Sequence, residues 1–321
     1  MTSMRPPAPE RVPVVLDVDT GIDDALALVY AVRSPDLDVV GVTTCFGNGD
    51  IETTTRNTLA VLDLAGSSAP VHRGAAMPLA EPWAPSAEAF HGPNGMGGAP
   101  VPEPRRGPAS HSAAHFLHEA ARAHAGQLVV IATARLTNLA VALAEDPDTA
   151  RRIRRVVVMG GAAFVPGNVT ASAEANIWGD PEAAWRVLHS GVPVTLVGLD
   201  VTHQALLRDG DLERLDPGLP YAALLRDAAE FYMGAYNPGV APGDRTCPLH
   251  DPLAVALTED PGLAGYEELP VDVELHGTLT RGATIVDARP YRTGPANAAV
   301  ALRLDAVRFR ARFLEQLGVL M

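Results

Sequence analysis

Short apolar segments typical of strands alternate with segments of helical periodicity along most of this chain, and the alternation is the strongest indication of its fold. The predicted strands cover residues 12–16, 38–44, 128–132, 155–159 and 194–197. The predicted helices cover residues 25–33, 51–65, 112–125, 138–145 and 181–190. Such alternation favours a mainly parallel, open sheet with helices on both faces. We therefore predict an α/β fold of the Rossmann-like kind.

The C-terminal part of the chain departs from this pattern. Residues 271–275, 283–286 and 298–302 are predicted to form short additional strands, for which an antiparallel arrangement stays open. No repeat and no low-complexity linker divides the sequence. We expect a disordered N-terminal extension at residues 1–11, followed by a single domain at residues 12–321.

Charge and composition exclude several classes of partner. A formal net charge of −13 argues against binding to a phosphate backbone. No apolar run approaches the roughly 18 residues that a membrane span needs, and the first residues do not contain the apolar core of a signal peptide. The two cysteines, Cys45 and Cys247, are too few for a disulfide framework. We expect a cytoplasmic protein with neither a nucleic-acid nor a membrane partner.

Four carboxylates lie within eight positions directly after the first predicted strand: Asp17, Asp19, Asp23 and Asp24. Helix capping accounts for one acid at such a place, but not for four. Their mutual repulsion has to be offset by a cation or by hydrogen-bond donors. Ligands bind at the carboxyl ends of strands in open α/β sheets, and Gly21 eases the turn there. The sequence therefore predicts a metal site in this loop.

Further candidate residues lie at the ends of other predicted strands, which should open on the same crevice. Three of these positions are Asn48, Thr133 and Met159. A loop before residue 181 contributes a second group, Asn168, Glu174 and Asn176. Together these groups offer donors and acceptors that suit a polyhydroxyl ligand such as a sugar.

Two long irregular stretches, residues 80–110 and 237–250, are typical of functional lids or disordered segments, and the second is predicted to be functional. The second leads into His250 and Asp251, which we expect in an extended or loop segment, where one could face a metal while the other faces a leaving group. Tyr232 and Tyr236 are four apart on a helical pattern and share one face. Core packing is the commoner role of such a pair, and stacking on a flat base is the alternative.

With these residues in place, the chain resembles the nucleoside hydrolase family of the inosine-uridine preferring kind, over about residues 12–310. The motifs that carry the resemblance are DVDTGIDD at 17–24, TCFGN at 44–48, HG at 91–92, LTNLA at 136–140, MGG at 159–161, GN at 167–168 with Glu174 and Asn176, and HDP at 250–252. The resemblance implies Ca²⁺-dependent hydrolysis of the bond between base and ribose in ribonucleosides. It also implies a role in nucleoside salvage or catabolism and, because relatives are commonly tetramers or dimers, a homo-oligomer.

Residue by residue, the resemblance implies that Asp19, Asp24, Asp251 and the Thr133 carbonyl bind calcium, a hard cation that prefers oxygen ligands. Asp19 would also take the proton from the attacking water, and His250 would protonate the departing base. The implied ribose-binding residues are Asp23, Asn48, Met159, Asn168, Glu174 and Asn176. His91, Tyr232 and Tyr236 would line the base pocket and favour an inosine/uridine-type or broad preference.

Some positions depart from the family pattern, and other functions compete with this interpretation. Ala134 and Arg135 follow Thr133 where a glycine-containing turn is common, which leaves the position of the Thr133 carbonyl open. A haloacid dehalogenase-like phosphatase would account for Asp17 and Asp19, but not for Gly21 or for the remaining acids. A non-catalytic protein that binds nucleosides or Ca²⁺ on the same scaffold is the other alternative, although binding alone requires neither a base nor an acid.

Overall fold

The computed structural model describes residues 11–83 and 87–320. Its strands are β1 (Val12–Val18), β2 (Leu37–Thr44), β3 (Val71–Arg73), β4 (Val129–Ala132), β5 (Arg155–Met159), β6 (Val194–Val197), β7 (Leu206–Arg208), β8 (Thr246–Pro248), β9 (Ala264–Leu269), β10 (Val271–Val273), β11 (Thr284–Val286) and β12 (Ala298–Leu304). Its helices are α1 (Ile22–Arg33), α2 (Ile51–Leu64), α3 (Glu88–His91), α4 (Ala113–Ala123), α5 (Thr137–Glu145), α6 (Asp148–Arg152), α7 (Ala175–Gly179), α8 (Pro181–Leu188), α9 (Leu199–Thr202), α10 (Ala222–Tyr236), α11 (His250–Glu259) and α12 (Ala306–Leu317).

Eight strands form one central sheet in the order β3-β2-β1-β4-β5-β6-β12-β9. Neighbouring strands are parallel except β12 and β9, which are antiparallel. β1 therefore lies between β2 and β4, and the carboxyl ends of these three strands open on one edge of the sheet. The predicted mainly parallel, open sheet is confirmed.

Helices cover both faces of this sheet because successive side chains of its buried strands point to opposite sides. Val14 and Leu16 of β1 pack in a core with α1, α2, α10, α11 and α12. Val15 packs in a second core with α4, α5 and α8. The two cores hold the strand ends in fixed positions, which is what a site built on them requires.

The structure corrects several details of the predicted elements. The segment at 298–302 lies in the main sheet as part of β12, where it pairs parallel with β6 and antiparallel with β9. The short additional strands are found as the antiparallel pair β10 and β11. The long stretches at 80–110 and 237–250 contain α3 and β8, which are too short to produce a recognisable period.

The extended or loop segment predicted at His250 and Asp251 is wrong, since both residues lie in the first turn of α11. Pro252 follows them within that turn, where a missing backbone N–H leaves no hydrogen bond unmade. The two side chains are therefore about one hundred degrees apart around a helix axis.

The predicted N-terminal extension, residues 1–11, lies outside the described residues except for Arg11, which donates to the Ser34 carbonyl at 3.0 Å. A single domain at residues 12–321 stays a prediction. No helix within the described ranges is long and apolar enough to cross a membrane.

Candidate active site

A cavity of about 330 Å³ opens at the carboxyl edge of the sheet. Its walls contain every predicted site residue except Asp19 and Asp24, which lie behind them. The lining residues are Asp23, Asn48, Ala87, Phe90, His91, Thr133, Met159, Asn168, Val169, Glu174, Ala175, Asn176, Tyr232, Tyr236, His250 and Asp251. The fold thus gathers the predicted side chains in one place, and their individual roles stay predictions.

Two helix N-termini bring three buried acids together. Asp23 and Asp24 lie in the first turn of α1, and Asp251 lies in the first turn of α11. Their carboxylate oxygens lie within 4.8 Å of one another. Burial raises the pKa of each of the three carboxyl groups, and repulsion by neighbouring carboxylates raises that of Asp23 and Asp251 further. A bound cation would relieve both effects.

Hydrogen bonds hold Asp24 on both of its oxygens. Oδ2 accepts from the Gly21 N–H at 3.0 Å and from the Asn48 side-chain amide at 3.1 Å, and Oδ1 accepts from the Thr133 hydroxyl at 2.9 Å. Asn48, predicted to bind ribose, thus also braces a predicted metal ligand.

Asp19 forms a buried ion pair with Arg135, a residue that the sequence marked only as a departure from the family pattern. The Oδ2 atom of Asp19 accepts from the Arg135 guanidinium and from the Asn48 backbone N–H at 2.8 Å. Oδ1 is buried and has no hydrogen-bond partner in the described part of the chain. The one sequence signal for this contact was a charged residue between Ala134 and Leu136, directly after a buried strand.

The donor set of the cluster fits a hard cation. Every candidate metal-ligand atom is an oxygen. The Oδ1 atoms of Asp19 and Asp23 are buried without a hydrogen-bond partner among the residues described. The Thr133 carbonyl accepts from the Asn176 side-chain amide at 2.7 Å, and its second lone pair stays available. Asp23 lies with Asp24 and Asp251 in the closest group, whereas Asp19 lies to one side beside Arg135.

Glu174 lies at the N-cap of α7, a short helix where the sequence predicted only a loop. Its carboxylate accepts from the backbone N–H groups of Asn176 and Ile177 at 2.9 and 3.1 Å and of Gly161 at 3.0 Å. Asn168 accepts from the Ala175 N–H at 3.0 Å, which holds the preceding loop against the same helix end. Asn176 also donates to the Met159 carbonyl at 3.1 Å.

Aromatic rings also line the cavity. The Tyr236 hydroxyl lies 3.1 Å from His250 Nε2, and the Thr202 hydroxyl lies 2.8 Å from His250 Nδ1. Burial lowers the pKa of His250 to about 3, so the imidazole is uncharged. Tyr232 stacks edge-on against Tyr236 with ring centres 4.9 Å apart and also contacts His91. The tyrosine pair therefore both packs in the core and faces the cavity.

His91 is fixed by the first turn of α1. Its Nδ1 accepts from the Ile22 backbone N–H at 3.1 Å, which leaves Nε2 to carry the ring hydrogen. Burial lowers the pKa of His91 to about 3. An uncharged donor of this kind suits a carbonyl oxygen or ring nitrogen of a base.

The family model described as "Inosine-uridine preferring nucleoside hydrolase" matches residues 14–311. The chain belongs to this family. It is therefore a hydrolase that acts on ribonucleosides, and these matches favour the nucleoside hydrolase family over a haloacid dehalogenase-like phosphatase.

Similar nucleoside hydrolases have contrasting base preferences. The chain is 38% identical over 309 residues to the pyrimidine-specific ribonucleoside hydrolase RihA of Shewanella sp. (strain ANA-3), covering 96% of each protein. It is 38% identical to the non-specific ribonucleoside hydrolase RihC of Klebsiella pneumoniae, covering 94% of this chain and 96% of that protein. Among solved structures, the purine-preferring ribonucleoside hydrolase from Gardnerella vaginalis superposes with a TM-score of 0.89 at 35% identity, covering 95% of this chain and 98% of that one.

Sequence reasoning missed some residues of this nucleoside hydrolase site. Phe90 lines the cavity next to His91 and packs against Tyr236 with ring centres 5.0 Å apart. Thr202 contacts His250 from the end of α9, 48 positions earlier in the chain. No local pattern indicates Thr202, because its contact depends on how α9 packs beside α11.

Proposed function

We propose that the chain hydrolyses the N-glycosidic bond of ribonucleosides to free base and ribose in a Ca²⁺-dependent reaction, with an inosine/uridine-type or broad preference. One observation carries the proposal: a buried group of carboxylates and an aromatic-lined imidazole face the same cavity. A non-catalytic protein that binds nucleosides would need neither in this combination.

Asp19, Asp24, Asp251 and the Thr133 carbonyl would hold the calcium ion, with Asp23 close by. When bound, calcium offsets the negative charge of the cluster and polarises the oxygens of water and ribose next to it. Its weak acidifying effect makes a carboxylate base useful. Asp19 Oδ1 is buried without a partner within the described ranges, so it can accept the proton of the attacking water.

Asp23, Asn48, Met159, Asn168, Glu174 and Asn176 would bind and orient the ribose. Positive charge develops on the sugar ring as the bond to the base breaks. Fixed carboxylates around the ring favour that charge, because they are oriented before the reaction begins. Hydrogen bonds from backbone N–H groups hold Glu174 in such a position.

The departing base needs a proton, and His250 is the proposed donor. The protonated ring would pass its proton to the base and return to the uncharged form that burial favours, while the Tyr236 hydroxyl 3.1 Å from Nε2 orients the imidazole. Tyr232 and His91 would enclose the base itself. Because similar proteins prefer pyrimidines, purines or neither, we propose that these rings accept both uridine and inosine.

Release of ribose from inosine, uridine and cytidine, measured with calcium and with a chelator, tests the proposal. We expect release that requires calcium. Activity that resists the chelator would contradict the metal assignment, and no ribose from any nucleoside would favour a binding protein. Sedimentation equilibrium would test the expected dimer or tetramer, and a cytoplasmic location also stays a prediction.

A further inference from the structure

Arg135 lies directly behind the acid cluster. Its side chain is 3% exposed, and it is absent from the walls of the cavity. It contacts Asp19 as an ion pair and lies 3.4 Å from the Asn176 side-chain oxygen. This position excludes direct contact with a nucleoside. Arg135 therefore acts on the acids of the cluster.

The backbone provides a niche for the guanidinium. A Cβ atom at Gly47 would lie 2.1 Å from Arg135 Nη1, and a Cβ atom at Gly179 would lie 2.6 Å from Arg135 Nε. Gly47 follows β2 and Gly179 ends α7, so two separate segments leave room for one side chain. Glycine is required in both places for Arg135 to reach Asp19.

The cluster is otherwise without a positive partner. Asp19, Asp23, Asp24 and Asp251 are all buried, and within residues 11–83 and 87–320 Arg135 forms their only ion pair. Unpaired carboxylates in a low-dielectric interior repel one another strongly. One guanidinium is therefore the only formal positive charge paired with the cluster in this part of the chain, beside the neutral donors that hold Asp24 and Asp19.

We propose that Arg135 is a built-in counter-ion of the acid cluster, which stabilises the metal-free protein and weakens its affinity for the divalent cation. The inference rests on the proposed metal site. Arg135 occupies the Oδ2 atom of Asp19, so the metal and the water that it would hold both have to share Oδ1. Its positive charge also lowers the attraction of the remaining carboxylates for a second cation.

Arg135 is in addition a positioning residue for Asn176. With the guanidinium beside Oδ1, the Asn176 amide turns its Nδ2 toward the Thr133 and Met159 carbonyls at 2.7 and 3.1 Å. The same side chain thus sets the environment of two predicted metal ligands, Asp19 and the Thr133 carbonyl.

The test compares Arg135→Met, which removes the charge, with Arg135→Lys, which keeps it. Calorimetric titration of chelator-treated protein with Ca²⁺ gives the dissociation constant, and circular dichroism in excess chelator gives the melting temperature. We expect Arg135→Met to bind Ca²⁺ roughly tenfold more tightly and to melt at lower temperature without metal. Arg135→Lys should stay within about threefold of the parent in affinity.

Calcium is the appropriate probe because the surface carries a second group of metal-ligand type. His111, His115 and Glu119 lie exposed around the start of α4, with nitrogen-to-oxygen distances of 3.3 and 3.4 Å. Zinc would bind imidazoles and confuse the titration, whereas calcium prefers oxygen.

The outcomes separate the two proposals. A parent protein that binds no Ca²⁺ would contradict the proposed metal site itself. If the parent binds Ca²⁺ and Arg135→Met binds it equally or more weakly, the counter-ion proposal is contradicted and the metal site stands. Should Arg135→Met fold only when Ca²⁺ is present, the counter-ion is supported. Gly179→Ala pushes the guanidinium away but keeps its charge in the chain. It should bind Ca²⁺ more tightly and melt at lower temperature without metal, each by a smaller amount than Arg135→Met. A Gly179→Ala protein with unchanged affinity and melting temperature would contradict the niche.

Discussion

At the scale of single residues, the site separates two kinds of buried titratable group. The acids on α1 and α11 are crowded, and burial raises their pKa values. A cation would stabilise their ionised forms. His250 and His91 are enclosed by rings, and burial keeps them uncharged. The proposed reaction uses both kinds of group, since the acids stabilise charge and the imidazole delivers a proton.

Removal of the proposed acid should affect substrates unequally. His250→Ala should slow inosine hydrolysis roughly 10²–10⁴-fold, because the purine leaves poorly without a proton. It should spare p-nitrophenyl riboside, whose leaving group needs little protonation. Steady-state kinetics on both substrates measure the difference.

Asp19→Asn provides the matched comparison, because a lost base slows the attack of water whatever the leaving group is. It should impair both substrates alike. Equal losses of both substrates in His250→Ala would remove His250 from the role of acid.

At the scale of elements, the N-terminus of α5 joins three strands behind the site. Asn138 donates to Asp17 Oδ1 at 2.8 Å and to the Thr44 carbonyl at 2.9 Å, and its oxygen accepts from the Ala75 N–H at 2.8 Å. Asp17 also accepts from the Thr43 hydroxyl at 2.6 Å. Burial still raises the pKa of Asp17 to about 6, so these donors only partly replace water.

Asn138→Ala should therefore lower the free energy of unfolding by about 3 kcal/mol, because a buried carboxylate loses one of two donors. Urea denaturation in the presence of chelator measures this without a contribution from metal. Ala144→Gln, at an exposed position of the same helix, should change stability by less than about 0.5 kcal/mol. An Asn138→Ala protein as stable as this control would show that the junction does not depend on Asn138.

Elements with strong local patterns were predictable from the sequence. The apolar run of β1 and the Asp180-Pro181 start of α8 agree with the structure within two residues. β3 was missed because three residues show no period, and α11 was missed because Pro252 resembles a loop signal. The Arg135–Asp19 pair could not be predicted from the sequence, because its partners are 116 positions apart and meet only once β1 and β4 pair.

At the scale of the whole molecule, the last helix closes back on the first. Tyr30 of α1 stacks on Phe313 of α12 with ring centres 6.2 Å apart. Glu259, at the end of α11, accepts from the Tyr30 and Ser34 hydroxyls at 2.7 Å each. Arg312 of α12 pairs with the same carboxylate at 3.0 Å. Glu259 thus links α1, α11 and α12, and the first turns of α1 and α11 carry the acids of the site.

This junction should show in the pH dependence of stability. Burial alone would raise the pKa of Glu259, but Arg312 and the two hydroxyls hold it below its ordinary value of 4.5. A lowered folded-state pKa adds stability that is complete above pH 4.5 and is lost as the pH falls through the folded value. Glu259→Gln should therefore be less stable than the parent by about 2 kcal/mol at pH 7, and the difference should narrow in acid.

Urea denaturation of both proteins in chelator, from pH 7 down to below the ordinary Glu pKa, measures that narrowing. Titration of the acid cluster affects parent and variant equally, so the difference between them isolates Glu259. Glu315→Gln, on the exposed side of α12, is the matched control and should follow the parent throughout. A deficit in Glu259→Gln that stays constant across this range would mean that the shape of the side chain, and not its charge, joins the three helices.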